Sequence, residues 1–247
     1  DTRVWKSEEK SSQQFAELTQ QLDGRIWQSE LYLKKAILSR IWTLNAMLAK
    51  LQEKKGGEQG VTSIYGKNFY EENQYGSFTS AVEVWQYLLP IYTPKSMVDF
   101  GCGTGTWLAA AKQVNRDIEV LGVDGDYVDR DLLMIAQNQF VPEDLSQPLD
   151  LHRKFDMAVS LEVAEHIEET CADTFVDSLC RHSDTILFSA AHVGQGGDGH
   201  VNEQPLEYWV EKFKKRGYQW LDIRKNFEKN YDVEEWYRDN MALFIKE

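Results

Sequence analysis

The sequence predicts an α/β protein whose mostly parallel sheet follows a helical N-terminal extension. From Pro94 onward, short apolar runs alternate with stretches of helical periodicity, which is the pattern of successive βαβ units. A glycine-rich turn follows the first of these runs. Between Lys6 and Lys55 there is no proline, and apolar residues recur at helical spacing. These three features predict a sheet-containing domain with a helical appendage.

The appendage is predicted over residues 1–56. Apolar residues recur about every 3.6 positions from Phe15 to Leu51, which is the period of an amphipathic helix. Asp23-Gly24 interrupts the pattern, so it fits one long helix or two. The spacing leaves open packing on the domain, a short bundle, homo-oligomerisation, or attachment to a larger parent protein.

Residues 57–79 are predicted to form a linker and an active-site flap. The main domain is then predicted to comprise residues 80–247. The glycines of "KKGGEQG" end the helical pattern. Four aromatic residues follow among polar ones: Tyr65, Tyr70, Tyr75 and Phe78. They are suited either to stacking on a ligand or to packing under the N-terminal segment.

Composition narrows the classes of function. The 247 residues carry 27 basic and 40 acidic side chains, and the net charge of -13 disfavours nucleic acid as a partner. Three scattered cysteines fit no disulfide framework or thiolate cage and predict a reducing, cytoplasmic setting. No apolar run has the length of a membrane span.

Seven apolar runs after Pro94 are predicted to be strands. They are "SMVDF", "IEVLGVD", "NQFVPEDL", "FDMAVSL", "DTILFSAA", "YQWLDI" and "MALFIK". The first five are separated by helical patterns or long connections, which favours parallel pairing, whereas the last two follow each other closely enough to pair antiparallel.

The glycine-rich turn contains Gly101, Gly103 and Gly105 and precedes a helix predicted to begin near Trp107. Glycines let the backbone approach a ligand closely, and the helix N-terminus offers unpaired N–H groups. The spacing G-x-G-x-G differs from the dinucleotide motif G-x-G-x-x-G and from the phosphate-binding loop. Redox and NTPase functions are therefore disfavoured.

These residues resemble the first motif of class I S-adenosylmethionine-dependent methyltransferases. The resemblance covers about residues 80–247 and implies the seven-stranded, Rossmann-like methyltransferase sheet and S-adenosylmethionine as cofactor. It implies that Asp99 and the three glycines face the methionine part of the cofactor. Asp124, at the end of the second strand, would accept hydrogen bonds from the ribose hydroxyls, and Asp144 with Leu145 would hold the adenine.

The stretch "SLEVAEHIEE" places Glu162, Glu165 and His166 at positions i, i+3 and i+4, which share one face if the stretch is helical. The pattern E-x-x-E-H resembles that of metal-dependent O-methyltransferases of ubiquinone biosynthesis and of small RNA, in which these residues bind a divalent ion. The RNA group adds a histidine after the fifth strand, where this chain has His192 and His200.

If the methyl acceptor is a sugar hydroxyl, its pKa is far above neutral, and a bound metal ion would assist its deprotonation. The expected ligands are Glu162, Glu165, His166 and His200, with magnesium or manganese undecided. If no metal binds, His200 or His166 is the candidate general base. His192 is expected to cap the strand end.

Four glycines precede His200 and predict a mobile loop that closes over substrate. After it, Asn202, Glu203 and Gln204 are suited either to binding a polyhydroxylated acceptor or to capping the next helix.

The sequence thus predicts an O-methyltransferase acting on a sugar hydroxyl of a glycan or glycosylated metabolite. Two other acceptors remain open: the 2′-hydroxyl of RNA, and a catechol or quinone precursor. A non-enzymatic alternative is a cofactor-binding scaffold that uses its N-terminal helices for contact.

Overall fold

The computed structural model describes residues 67–247, with side chains from residue 76. The predicted helical extension over 1–56 and the linker that follows it lie outside the described residues, as does Tyr65.

A seven-stranded sheet forms the centre of the described part of the chain, in the order β3-β2-β1-β4-β5-β7-β6. The first five strands are parallel to their neighbours, whereas β7 pairs antiparallel with both β5 and β6. This confirms the predicted sheet and its antiparallel final pair. The strands are β1 Ser96–Phe100, β2 Glu119–Asp124, β3 Phe140–Pro142, β4 Met157–Leu161, β5 Thr185–Ser189, β6 Tyr218–Leu221 and β7 Ala242–Lys246.

Helices cover both faces of the sheet. They are α1 Lys67–Leu88, α2 Thr106–Val114, α3 Ala172–His182, α4 Leu206–Lys214 and α5 Glu235–Asn240. Successive side chains of a strand point to opposite faces, so Met97 of β1 packs with Trp85 and Leu108 of α1 and α2. Its neighbour Val98 packs with Phe175 and Phe213 of α3 and α4. The sheet therefore separates two apolar cores.

Helix α1 begins earlier than the sequence pattern predicts. Residues 67–79, assigned to the flap, belong to one helix that continues to Leu88. The segment has no proline, and its one glycine, Gly76, lies against the carboxylate of Glu234, which would have to move to make space for a Cβ. A glycine inside a helix is tolerated at modest cost. Phe78 packs against the α1/α2 core.

The connectivity changes direction between β1 and β4. The chain proceeds from β1 outward through β2 and β3, then returns to place β4 on the other side of β1. Ligands in open α/β sheets bind beyond the carboxyl ends of the strands at such a point. Within residues 67–247, no helix is both long and apolar enough to cross a lipid bilayer.

Candidate functional site

The turn after β1 is shaped by its glycines. Gly101, Gly103 and Gly105 have φ of 84°, 52° and 81°, a left-handed region that other residues seldom adopt. A Cβ on Gly101 would overlap the side chain of Val163, which follows β4. The glycine turn thus lies directly against the segment that contains E-x-x-E-H. Helix α2 begins at Thr106, one residue before the predicted position.

Asp124, at the end of β2, is tied to the glycine turn. Its carboxylate accepts hydrogen bonds from the backbone N–H of Gly103 at 2.7 Å and of Gly125 at 2.7 Å. The hydroxyl of Tyr127 donates to the same carboxylate at 2.5 Å. A carboxylate has about four acceptor positions, so Asp124 retains capacity for a ligand hydroxyl.

A cavity of about 770 Å³ opens beside this turn. Asp144 and Leu145 lie on its wall, with Asp124, Gly101 and Gly103. Asp144 accepts hydrogen bonds from the N–H and hydroxyl of Ser146, which hold its pKa below the usual range. Leu145 is buried. All the predicted cofactor residues except Asp99 and Gly105 therefore line this larger cavity.

A second cavity of about 380 Å³ adjoins the first. Gly101, Gly103, Glu162 and His166 line both cavities, so the two form one cleft. Asp99 lines the smaller cavity and is 3% exposed. Burial and the nearby Asp124 carboxylate raise its pKa well above the usual range.

The smaller cavity is acidic. Four carboxylates contribute to its described lining, whereas that lining contains no lysine or arginine. The four are Asp99, Glu162, Glu165 and Asp198. Because burial raises the pKa of Asp99, Glu162 and Glu165, a cation that enters this cavity would favour their ionised forms.

The segment after β4 is not the regular helix that the i, i+3, i+4 spacing suggests. Glu162 has a left-handed φ of 54°, and Ala164–His166 form a single 3₁₀ turn. The backbone N–H of Glu162 donates to both the carbonyl and the hydroxyl of Ser189 on β5, each at 3.1 Å. These bonds hold Glu162 at the strand end, so the chain turns before it coils. A non-glycine residue in this conformation is uncommon and recurs at functional sites.

Glu165 is the most deeply buried acid of this segment. It is 1% exposed, and neither carboxylate oxygen has a hydrogen-bond donor in ordinary geometry. Burial, then the neighbouring charge of Glu162, raises its pKa to about 8. Its backbone carbonyl accepts the N–H groups of Val201 and Asn202 at 2.9 and 3.0 Å, which draws the loop after β5 onto it.

His166 and His200 meet beside Glu165. Their rings are 4.9 Å apart and nearly perpendicular. His166 Nδ1 lies 3.1 Å from the carbonyl of Gly199, and His200 Nδ1 lies 2.9 Å from a carboxylate oxygen of Glu203. Burial lowers the pKa of His166. Glu165, His166 and His200 each offer a ligand atom within 4.8 Å of the others, an arrangement able to hold a metal ion.

Glu162 lies outside that group of three. Its carboxylate accepts hydrogen bonds from the side-chain amides of Gln195 at 3.1 Å and Asn240 at 3.2 Å, while burial raises its pKa. The structure therefore brings together three of the four predicted ligands. His192 is exposed, its ring nitrogen near the carbonyl of Val193, and is not part of the group.

Several site residues carried no signal in the sequence. Asn240 comes from the end of α5, and its amide bonds both Glu162 and Gln195. Trp236 and Tyr237 of α5 line the smaller cavity, and the Tyr237 hydroxyl lies 2.6 Å from that of Ser77. The adjacent pair of aromatic residues in "VEEWYRDN" was the only hint that this helix borders the cleft.

Glu203 binds the glycine loop rather than capping α4. It accepts the N–H groups of Gly194 at 2.8 Å and Gly196 at 2.7 Å. Helix α4 begins after Pro205 without a side-chain cap. Asn202 is buried, and its side-chain oxygen accepts a hydrogen bond from Gln204 at 2.9 Å.

Comparisons with known proteins agree with this geometry. A family model described as a methyltransferase domain matches residues 74–209, more than half of the chain. A comparison with curated protein sequences gave no match.

Several solved structures share the fold. The sugar N-methyltransferase KedS8 of Streptoalloteichus sp. ATCC 53650 has a TM-score of 0.56 at 16% identity, covering 77% of this chain and 99% of that one. Magnesium protoporphyrin IX methyltransferase of Synechocystis PCC 6803, with bound SAH, has a TM-score of 0.51 at 15% identity, covering 77% and 90%. The methyltransferase domain of a bacterial Hen1, CtHen1-CN, has a TM-score of 0.51 at 21% identity, covering 68% and 98%.

Proposed function

Because the chain belongs to the methyltransferase-domain family and is an S-adenosylmethionine-dependent methyltransferase of class I, we propose that it methylates a sugar hydroxyl of a glycan or glycosylated metabolite. The observation that carries the proposal is the group of Glu165, His166 and His200 beside the glycine turn. A divalent ion held there would assist deprotonation of the hydroxyl.

We assign the adenosine part of the cofactor to the larger cavity and its methionine part to the smaller one. Asp124, Asp144 and Leu145 line the larger one and are proposed to hold the adenosine part. Asp99 lines the smaller one and is proposed to face the cofactor's ammonium, whose positive charge would offset the cost of burying this carboxylate. This orientation directs the methyl group toward the smaller cavity and its histidines.

The burial of Glu165 is one reason why the group of Glu165, His166 and His200 fits a metal ion. A carboxylate buried next to a second carboxylate is costly to ionise unless a cation accompanies it, and Glu165, buried beside Glu162, is such a group. A bound ion would act as a Lewis acid on the acceptor oxygen and orient a vicinal diol. Two imidazoles with one carboxylate suit manganese or another transition ion better than magnesium, which prefers oxygen ligands.

The residues that line the smaller cavity favour some methyl acceptors over others. Among the described residues, the lining offers a phosphodiester no lysine or arginine, which disfavours the RNA alternative. Trp107, Trp236 and Tyr237 also line this cavity, so a catechol or quinone precursor stays an alternative acceptor. Trp236 offers a half-exposed aromatic surface against which a sugar ring can pack. The same acidic lining also favours an amino sugar, so N-methylation is the second candidate.

Isothermal titration of Mn²⁺ and Mg²⁺ into protein saturated with S-adenosylhomocysteine tests the proposal. We expect Mn²⁺ binding in the wild type, its loss in Glu165→Ala and His200→Ala, and no change in His192→Ala, because His192 lies outside the group. Absence of binding in the wild type would overturn the metal-assisted reaction and leave His166 or His200 as a general base.

Acceptors are then compared by measuring the formation of S-adenosylhomocysteine with neutral glycosides, with their phosphorylated forms and with amino sugars. Exclusive turnover of a phosphorylated acceptor would contradict the proposed acceptor class. Cofactor turnover without any methylated product would instead favour the scaffold alternative.

A further inference from the structure

Glu203 connects the glycine loop to His200. One carboxylate oxygen accepts both the N–H of Gly196 at 2.7 Å and the Nδ1–H of His200 at 2.9 Å. The other oxygen accepts the N–H of Gly194 at 2.8 Å. These bonds hold the pKa of Glu203 below its usual range. A single side chain thus fixes two points of the loop and one edge of the imidazole.

The hydrogen bonds specify which nitrogen of each histidine carries the proton. A backbone carbonyl only accepts, so His166 donates from Nδ1 to Gly199 and its Nε2 is left with a lone pair when the ring is neutral. An ionised carboxylate also only accepts, so Glu203 imposes the same tautomer on His200. For His200, this bond makes Nε2 the nitrogen suited to bind a cation or a proton.

Gly197 lies against the Nε2 edge of His200. A Cβ on Gly197 would collide first with Nε2 of His200 and then with its Cε1. Gly197 and His200 both line the smaller cavity. A side chain at 197 would therefore occupy the space next to Nε2.

We infer that Glu203 is a positioning residue that holds His200 as the Nδ1–H tautomer and, through the same carboxylate, ties its ring to the glycine loop. Residues that hydrogen-bond a ligand histidine in this way orient the ring and raise its basicity. The role of His200 as ligand or base rests on the proposed function, whereas the tautomer and its dependence on Glu203 do not.

Long-range ¹H–¹⁵N NMR of the histidine side chains tests the inference. The chain has five histidines, and spectra at about pH 9, above the usual histidine pKa, report which nitrogen is protonated. We expect Nδ1–H for His200 in the wild type and in Glu203→Gln, which keeps one acceptor oxygen. In Glu203→Ala we expect a mixture of tautomers for His200, while His166 keeps Nδ1–H.

Glu207→Gln, at an exposed acid four residues away, is the matched control and should match the wild type. A proton on Nε2 of His200 in the wild type, or an unchanged His200 in Glu203→Ala, would overturn the inference. A parallel change of His166 and His200 would also overturn it, since that indicates only a collapsed loop.

Titration with Mn²⁺ alone separates this inference from the proposed function. We expect binding about 10- to 100-fold weaker in Glu203→Ala, with a smaller loss in Glu203→Gln. If the wild type binds no Mn²⁺, the metal proposal fails while the NMR result still decides the role of Glu203. If the wild type binds Mn²⁺ and Glu203→Ala binds it equally well, the positioning role is wrong.

Discussion

The two cavities of the cleft are built in different ways. The larger one is shaped by backbone: left-handed glycines follow β1, and one of them, Gly103, donates its N–H to Asp124 at the end of the adjacent strand. The smaller one is assembled from side chains of distant segments, with Glu165 after β4, His200 after β5 and Trp236 of α5. The proposed cofactor site thus depends mainly on local backbone geometry, whereas the proposed acceptor site depends on tertiary contacts.

This difference implies that the two halves respond separately to mutation. A change in the glycine turn should affect the fold and the cofactor together, because the turn packs directly on Val163. A change near His200 should alter cation binding with little effect on the cofactor. The following predictions run from the largest expected effect to the smallest.

Gly101→Ala should be the most damaging substitution. A side chain there would adopt an unfavourable φ and collide with Val163, so we expect a loss of about 2–5 kcal/mol in unfolding free energy, from left-handed strain plus overpacking. Binding of S-adenosylhomocysteine should be abolished. Urea unfolding and calorimetric titration measure both effects.

The control is Gly217→Ala, where φ is +82° but no atom lies near the added Cβ. It should cost only the strain, about 1–2 kcal/mol. Equal losses in the two variants would show that contact with Val163 is unimportant.

Asp124→Ala should weaken binding of S-adenosylhomocysteine, whereas Glu165→Gln should weaken binding of Mn²⁺. Asp124→Ala removes the acceptor of three hydrogen bonds and should weaken S-adenosylhomocysteine by about 10- to 100-fold, as expected for bonds to a charged group. Glu165→Gln should weaken Mn²⁺ at least as much and leave the cofactor analogue within about twofold. Titration of each ligand into each variant checks this, and loss of both ligands in Glu165→Gln would break the distinction between the halves.

Gly197→Ala should weaken Mn²⁺ binding by about tenfold, in line with disturbing a ligand's surroundings. The added methyl would press on the Nε2 edge of His200. Gly217→Ala is the control, because its φ is +82°, nothing lies near the added Cβ and it lies outside this loop. If both variants bind Mn²⁺ like the wild type, the space beside Nε2 has no role in cation binding.

Asp99→Asn should make the cofactor-free protein more stable at high pH. The folded-state pKa of Asp99 is raised by burial and by Asp124, so its favourable contribution is present below the unfolded pKa of about 3.9 and is lost as pH rises toward the folded pKa. At pH 8 we expect the variant to gain ~1–2 kcal/mol over the wild type, with a smaller gain at pH 5.

Urea unfolding at the two pH values measures this difference, with Asp117→Asn as an exposed control. A gain that is the same at both pH values would show that the charge of Asp99 is not the cause.

The sequence was most informative where short segments determine the structure. The glycine turn and the strand-end acid are each read from a few consecutive residues, and parallel pairing of β1 with β2 then brings Gly103 to Asp124. The neighbouring positions of β4 and β5 likewise bring His166 to His200. Alternation predicts parallel pairing, and the strand order was implied by the resemblance to class I methyltransferases, so these parts of the site were predictable.

The remaining contacts depend on tertiary structure. A helical spacing rule predicted one face for Glu162 and Glu165, but bonds from Glu162 to Ser189 on another strand override it. Asn240 is 78 residues from Glu162 and has no recognisable motif. Glu203 was predicted to bind an acceptor or to cap the next helix, and its hydrogen bond to His200 was not anticipated because the segment between them is not helical.

The central claim is that Glu165, His166 and His200 form a divalent-cation site beside the cofactor. Anomalous diffraction at the manganese edge, from crystals grown with S-adenosylhomocysteine and Mn²⁺, tests it most directly. We predict one strong peak bounded by these three side chains, with the analogue lying along Asp99 and Asp124. Density for the analogue in the cleft without a manganese peak among the three residues would contradict the claim.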